Sequence, residues 1–411
     1  MEARGVSNTV AFDRRQIYRP FLERLGPIGS PRTLEEHDWI VPPKHDPRDF
    51  TQPPIHEVFA DSAELTRGMQ MALVGGTGSG KTTELLLTHR LLGRHADAVN
   101  EYLDLAEVTD LNEANPGAIL AAIGMRLYAR LKKAQKQKVS SAHEKLQVLA
   151  FGKTEWWRDP PDYDDGDSGF RVDIPGVMKR RFPALRREVQ EVRGLLLEIA
   201  SPLLRRDAQI TTLIDGLDRL IMPERFRQFA EQDLRALRGT QISAVVAAPL
   251  LLWYDKSQFL ADHFDLVRHL PAVLFDPEES DFLKSVLLRR GATELMDEPE
   301  VTEICRFSGG VLRDLLTLTQ SAATSAYRED EDRIGRDHVR TAVLQLGRRY
   351  WIGLGSQIGP IRRLINKKEF SPDNPAAREL LVNRQVLEYC RRGRDFFAVH
   401  PALAEVLAET V

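Results

Sequence analysis

The run from Met71 to Thr82 constrains this chain more than any other stretch. Met71, Ala72, Leu73 and Val74 form a short apolar segment of the kind that makes a buried strand. The next eight residues, Gly75, Gly76, Thr77, Gly78, Ser79, Gly80, Lys81 and Thr82, satisfy G-x-x-x-x-G-K-[ST], and a helical run begins at Thr83. Strand before and helix after is the context in which this spacing makes a phosphate-binding loop. The chemistry needs glycine because backbone N–H groups must wrap a polyphosphate, and a side chain at several loop positions would hold the backbone away. The helix that follows presents its free N–H groups and positive dipole end to the anion. Lys81 is expected to reach the β and γ phosphates, and the Thr82 hydroxyl to ligate Mg²⁺. Gly75 to Thr83 are therefore the candidate nucleotide-binding residues.

Such a loop implies a sheet large enough to hold it. The 411 residues suffice for two or three domains, and 42% hydrophobic with 28% charged residues describes a globular chain with a sizeable core. A formal charge of −3 gives no global field towards nucleic acid or an anionic membrane, so any such contact needs a local patch. Two distant cysteines, Cys305 and Cys390, make neither a disulfide framework nor a zinc spacing. No signal core and no apolar run of about 18 residues is visible, so a cytoplasmic protein without a membrane segment is expected.

Residues 1–60 read as a proline- and charge-rich lead-in, with one helix over Ala11–Leu25 and extended or looped chain from Gly26 to Thr51. Trp39, Ile40, Val41 and Pro42 are candidates for the adenine face or for simple core contacts. After the loop, a helix over Thr83–Leu92, a strand over Val99–Leu105 and an amphipathic helix over Pro116–Lys133 argue an α/β fold with a parallel sheet. Residues 139–178 interrupt this pattern and read as an acidic insertion. Its Asp159, Asp162, Asp164, Asp165 and Asp167 lack the spacing of a calcium loop, and Trp156 and Trp157 are candidates to anchor it or to face a partner. A long helix resumes at Phe182, with apolar residues from Leu185 to Leu203 stepping by four and three.

The second chemical motif is QITTLIDGLDRL, Gln209 to Leu220. Its apolar run delivers Asp215 to a strand end, where a carboxylate can hold the Mg²⁺ that Thr82 ligates. Asp218, past the turn at Gly216, is the candidate to polarise the attacking water, or else a helix cap. Lys81, Asp215 and Asp218 are the candidate catalytic residues. A further strand, Ile242–Ala248, ends at Ala247, Ala248 and Pro249, which offer no side-chain donor to a γ-phosphate. A fifth strand is expected over Val267–Phe275. From Pro277 helices take over, and Ser308–Leu316 (SGGVLRDLL) puts Arg313 on the first turn of one of them, from which a guanidinium can fold over the nucleotide or pair with a neighbouring acid.

GGTGSGKTTEL, TLIDGLD and SGGVLRDLL together resemble the AAA+ ATPases of the origin-recognition and signal-transducing STAND types, over about residues 40 to 350. The resemblance implies a five-stranded sheet in the order 5-1-4-3-2, a helical lid with Arg313 as its nucleotide sensor, and a winged helix after it. It also places a histidine of the tail, here His400, on the bound diphosphate, against the plainer reading of a structural histidine. Arg235 and Arg238 precede the fourth strand, a region where ring-forming relatives present an arginine to the neighbouring subunit. The expected division is a lead-in at 1–60, an ATPase core at 61–276 containing the acidic insertion, a helical lid at 277–350 and a winged-helix-like unit at 351–411. In the tail, strands are expected at Val386–Tyr389 and Phe396–Val399. From Arg362 to Arg394 nine Lys and Arg face four Asp and Glu, a patch that could hold DNA backbone or simply be solvated.

The function this implies is a slow ATPase switch binding ATP, ADP and Mg²⁺, whose nucleotide state gates self-association or a separate effector or client protein, as in bacterial antiviral defence or signalling. Two alternatives stay open: a DNA-binding ATPase of the replication-initiator or transposition-regulator type, and a non-hydrolysing scaffold that keeps its nucleotide.

Overall fold

The computed structural model describes residues 13–26, 39–49, 52–95, 97–108, 110, 114–151, 186–205, 208–220, 223–255, 258–276 and 281–409. Five parallel strands make the central sheet: β1 (Gln70–Gly75), β2 (Ala98–Asp104), β3 (Gln209–Asp215), β4 (Ile242–Pro249) and β5 (Leu266–Leu270). Their spatial order is β2-β3-β4-β1-β5, the 5-1-4-3-2 order that the resemblance implies. Every residue of β1 is buried, because the sheet is covered on both faces. Met71 and Leu73 face Phe59 and Leu85 on one side, while Ala72 and Val74 join Ile119, Leu196 and Phe226 on the other. This two-sided burial explains why the strands read as unbroken apolar runs.

One buried carboxyl group organises the second layer. The backbone over Ala230–Leu234 widens into a π turn, and Asp233, fully buried, points at the start of the Ala118–Arg130 helix. Its carboxylate accepts from the N–H groups of Gly117 at 2.8 Å, Ile119 at 3.0 Å and Leu120 at 3.4 Å. A side chain more than a hundred residues away thus caps a helix whose own N-cap residue is Gly117.

Beyond the sheet, helices Phe282–Leu288, Glu298–Phe307, Leu312–Arg328 and Arg336–Ile352 build a second core. Helices Ile358–Lys367 and Pro375–Val382 follow, then the antiparallel hairpin of β6 (Val386–Arg391) and β7 (Arg394–Val399), then helix Pro401–Glu409. Tyr18, Phe21 and Leu25 of the Arg14–Leu25 helix pack into this same core, so the first part of the lead-in sits with these helices. The tail hairpin is tied to the sheet: Ala272 N–H donates to Glu388 O at 2.9 Å.

Three expectations need correction. The Pro116–Lys133 helix breaks at Leu131, which adopts an extended backbone and is buried, so that Lys133–Lys138 forms a separate short helix. Residues 140–151 are helical, with Val139, Ala142 and Leu146 in the main core, so the first part of the expected insertion belongs to the fold. The remaining expectations for that insertion, including Trp156, Trp157 and its aspartates, lie outside the described residues. β5 stops at Leu270 because Pro271 cannot continue the ladder, and the chain then turns towards the tail hairpin. No described helix is long and apolar enough to cross a membrane.

Candidate phosphate-binding site

β1 delivers the chain into the loop, and two glycines take conformations that a side chain would resist: Gly78 at φ 84° and Gly80 at φ 106°. The loop closes through Ser79 N–H to Gly76 O at 3.2 Å, and Glu84 N–H to Gly80 O at 3.0 Å begins the helix Lys81–Leu92. Lys81 is buried at 5% exposure and folds back, its Nζ donating to Gly75 O and Gly76 O at 2.8 Å each. Its third neighbour is Asp218, at 2.9 Å. Asp218 sits in the tight turn Leu217–Arg219 after Gly216 (φ 92°), and so does not cap the Pro223–Phe229 helix.

Asp215 is 1% exposed at the end of β3. Thr82 Oγ1 donates to its Oδ2 at 2.6 Å, Tyr102 OH to the same oxygen at 2.9 Å, and Gly216 N–H to its Oδ1 at 2.7 Å. Burial, then the charge of Asp218, pushes the Asp215 carboxyl above its ordinary value, while these three bonds pull it back. The structure therefore brings Lys81, Thr82, Asp215 and Asp218 together from two elements 133 residues apart. Thr83, on the same helical turn, is half-buried. At the strand ends beside them, Ala247, Ala248 and Pro249 of β4 are buried and present no side-chain donor.

Sequence reasoning misses the support under the loop. Arg48, 5% exposed, donates from Nη2 to Ser79 O at 2.9 Å and from Nε to Pro271 O at 3.0 Å. Asp46 and Glu84 hold its Nη1 at 3.3 and 3.8 Å, and Glu84 also binds the His56 ring at 2.9 Å. One guanidinium thus joins the lead-in, the loop and the end of β5. The local sign of it is slight, the pair Asp46 and Arg48 around Pro47. Trp39 to Pro42 lie elsewhere: Trp39 O accepts from Arg290 at 3.1 Å, and Val41 packs on the lid core.

The Leu312–Arg328 helix meets the loop directly. Arg313 N–H donates to Gly78 O at 3.3 Å, and a Cβ on Gly78 would lie 2.6 Å from Arg313 Cβ. The Arg313 side chain stands beside the loop, where partial desolvation, then the neighbouring Arg384, lowers its pKa. Arg384, from the turn before β6, is a second residue that no sequence motif marks. It lines a narrow cavity together with Gly76, Thr77, Ser79, His269 and Glu388. His400 is fully buried behind Asp314, its Nε2 3.4 Å from Asp314 Oδ2, and the structure does not bring it to the loop. Arg238 lies at the other end of the strands from the loop, 3.7 Å from Asp265, which accepts from Gln70 N–H at the start of β1, and Arg235 lines a separate cavity with Arg193 and Gln232.

No protein-family model matches the chain, and no curated protein matches its sequence. Among solved structures, the Aeropyrum pernix Orc1 protein in complex with DNA is similar at 15% identity and a TM-score of 0.43, covering 94% of this chain and 96% of that one. Cdc6p from Pyrobaculum aerophilum is similar at 14% identity and a TM-score of 0.41, covering 94% and 98%. A RuvB protein from Thermotoga maritima is similar at 15% identity and a TM-score of 0.38, covering 86% and 92%. These are likenesses of fold, and the roles of individual residues rest on the geometry of the loop and its neighbours.

Proposed function

We propose that this chain is an AAA+-type P-loop ATPase acting as a slow switch, in which the state of a bound adenine nucleotide sets the position of the lid and tail and through them a partner or self-association. The observation that carries the reading is the seat of the lid helix on the loop. With Arg313 N–H on Gly78 O and no room for a Cβ between them, a rearrangement of the loop around phosphates cannot leave the lid where it is.

The residues fit the chemistry. Loop amides and Lys81 bind the polyphosphate, and Lys81 exchanges its pair with Asp218 for phosphate oxygens. Thr82 and Asp215, already 2.6 Å apart, are the natural oxygen donors for Mg²⁺. When bound, that ion neutralises charge developing on the β and γ phosphates. Released from Lys81, the Asp218 carboxylate is free to accept a hydrogen bond from a water and orient it. The donor-free end of β4 supports slow turnover, since a polar side chain there would otherwise hold the γ-phosphate.

The test compares wild type, Lys81→Ala and Asp218→Asn. The switch reading expects Lys81→Ala to lose nucleotide affinity, and Asp218→Asn to bind ATP but hydrolyse it at least about tenfold more slowly, remaining in the ATP-bound form by size-exclusion profile. Unchanged turnover in Asp218→Asn would favour a scaffold that keeps its nucleotide; unchanged affinity in Lys81→Ala would end the reading.

A second reading, contact with DNA, is favoured by one feature. The Ile358–Lys367 helix packs on β7, and its Arg362, Arg363 and Lys367 are exposed, as is Arg394 at the start of β7. Duplex binding that weakens with salt, and is lost when Arg362, Arg363 and Arg394 are reversed to glutamate, would support it.

A further inference from the structure

Beside the loop stands a guanidinium that neither nucleotide binding nor hydrolysis, as derived from Lys81, Thr82, Asp215 and Asp218, requires. Arg384 lies between the Pro375–Val382 helix and β6, more than three hundred residues from the loop, with its backbone in the left-handed region at φ 61°. That is a conformation glycine adopts more freely, so the side chain here calls for a reason. Its Nη1 lies 3.5 Å from where a Cβ on Gly78 would stand, and it lines the cavity bounded by Gly76 and Thr77. The same glycine is also touched by Arg313, so two elements of the C-terminal half converge on the tip of the loop.

In this structure the charge on Arg384 is held by one carboxylate. Nη1 donates to Asp314 Oδ1 at 2.8 Å, and the guanidinium is 5.7 Å from the centre of the Tyr350 ring. Asp314 has another donor on its second oxygen. Tyr350 OH donates to Oδ2 at 2.6 Å. His400 Nδ1 accepts from Ala402 N–H at 3.2 Å, and its Nε2 lies 3.4 Å from the same Oδ2 without a hydrogen bond to it. If Arg384 turned away, Asp314 would therefore remain hydrogen-bonded inside the core. The arrangement repeats the one at Lys81, which Asp218 holds at 2.9 Å beside the loop. In each case a carboxylate pairs with a cation that a phosphate oxygen could claim.

We propose that Arg384 is a second phosphate-binding residue of this site, exchanging Asp314 for the terminal phosphate of a nucleoside triphosphate and so tying the tail hairpin to the number of phosphates bound. The inference rests on the reading that the loop holds such a nucleotide, and goes beyond it by giving the tail its own contact. A guanidinium suits the task because the planar fork that pairs with a carboxylate presents its parallel N–H donors equally well to phosphate oxygens. A diphosphate would leave Arg384 on Asp314, which makes the hairpin, rather than the lid helix alone, sensitive to the γ-phosphate.

The experiment measures equilibrium binding of ATPγS and ADP to the full chain as wild type, Arg384→Ala, Arg384→Lys and Lys81→Ala, with hydrogen exchange over residues 386–399 in each nucleotide. Arg384→Ala should weaken ATPγS about tenfold or more, leave ADP within about threefold, and abolish the difference in exchange between the two nucleotides. Arg384→Lys should recover part of the ATPγS affinity. Equal loss for both nucleotides, or no loss, overturns the proposal; the first of these would mark Arg384 as purely structural. If Lys81→Ala abolishes binding of both nucleotides while Arg384→Ala leaves their ratio unchanged, only this inference fails. If Lys81→Ala binds both normally, the nucleotide reading itself fails, and this inference with it.

Discussion

Replacing Glu388 by glutamine should make the protein more stable at pH 8 and leave it unchanged near pH 4.5. Glu388 lies on β6 where the tail hairpin meets the sheet, and its backbone carbonyl accepts from Ala272 N–H. The side chain is 7% exposed; burial, aided by the charge of Asp395 and opposed by the bond from Tyr254 OH, pushes its pKa up to about 7 from an ordinary 4.5. Its other neighbour, His269, lies 3.2 Å away, but burial and the nearby Arg48 and Lys81 push that ring down to about 3. The pair is therefore a neutral acid beside a neutral imidazole at pH 5 to 6. A carboxyl with a raised folded pKa binds more protons in the native state than in the unfolded one between pH 4.5 and 7. The contribution of Glu388 to stability must fall as pH rises through that window, with a slope of about 1.4 kcal/mol for each pH unit, or about 3 kcal/mol across the whole window. Glutamine mimics the neutral acid and should remove this contribution to the slope. Urea denaturation of wild type and Glu388→Gln at pH 4.5, 6 and 8 would measure it. If the variant is no more stable than wild type at pH 8, or if wild type gains stability across the window relative to it, Glu388 is ionised in the fold and the reasoning is wrong.

Two further substitutions test the packing that positions the site. Asp233→Ala leaves the N–H groups of Gly117, Ile119 and Leu120 without their carboxylate and should cost about 2 kcal/mol by urea denaturation; a cost below about 0.5 kcal/mol would mean that water takes its place. Gly347 lies in the Arg336–Ile352 helix where a Cβ would stand 2.1 Å from Ala402 O and 2.6 Å from Val406 Cγ2. Gly347→Ala should therefore lower stability by about 1–3 kcal/mol despite the better helix propensity of alanine, and speed proteolysis of the Pro401–Glu409 helix; an unchanged melting temperature would show that the two helices separate freely.

What can be read from the sequence follows from how far each signal reaches along the chain. The loop from Gly75 to Thr82 and the carboxylates at 215 and 218 are visible because their spacing is local and their neighbours are strands buried on both faces. The helix over 140–151 escapes notice because the acidic run after it dominates the composition, although Val139, Ala142 and Leu146 keep helical spacing. β5 reads too long because Ala272 to Phe275 are as apolar as a strand, yet they pass to the tail and leave the sheet. Arg48, Asp233 and Arg384 carry almost no local signal. Each acts on a backbone group or side chain brought near only by the tertiary fold, and in sequence each is one charged residue among many.

The Arg14–Leu25 helix and the Pro401–Glu409 helix contribute to a single core, with Tyr18 and Phe21 from the one and Ala402, Leu403 and Leu407 from the other. The two extremities of the described chain are therefore passengers of the same body. A donor dye near residue 14 and an acceptor near residue 409 would report an almost constant separation through a nucleotide cycle, however large the swing. Moving one dye to the outer edge of the sheet, on β2, would convert the same swing into a change of transfer efficiency.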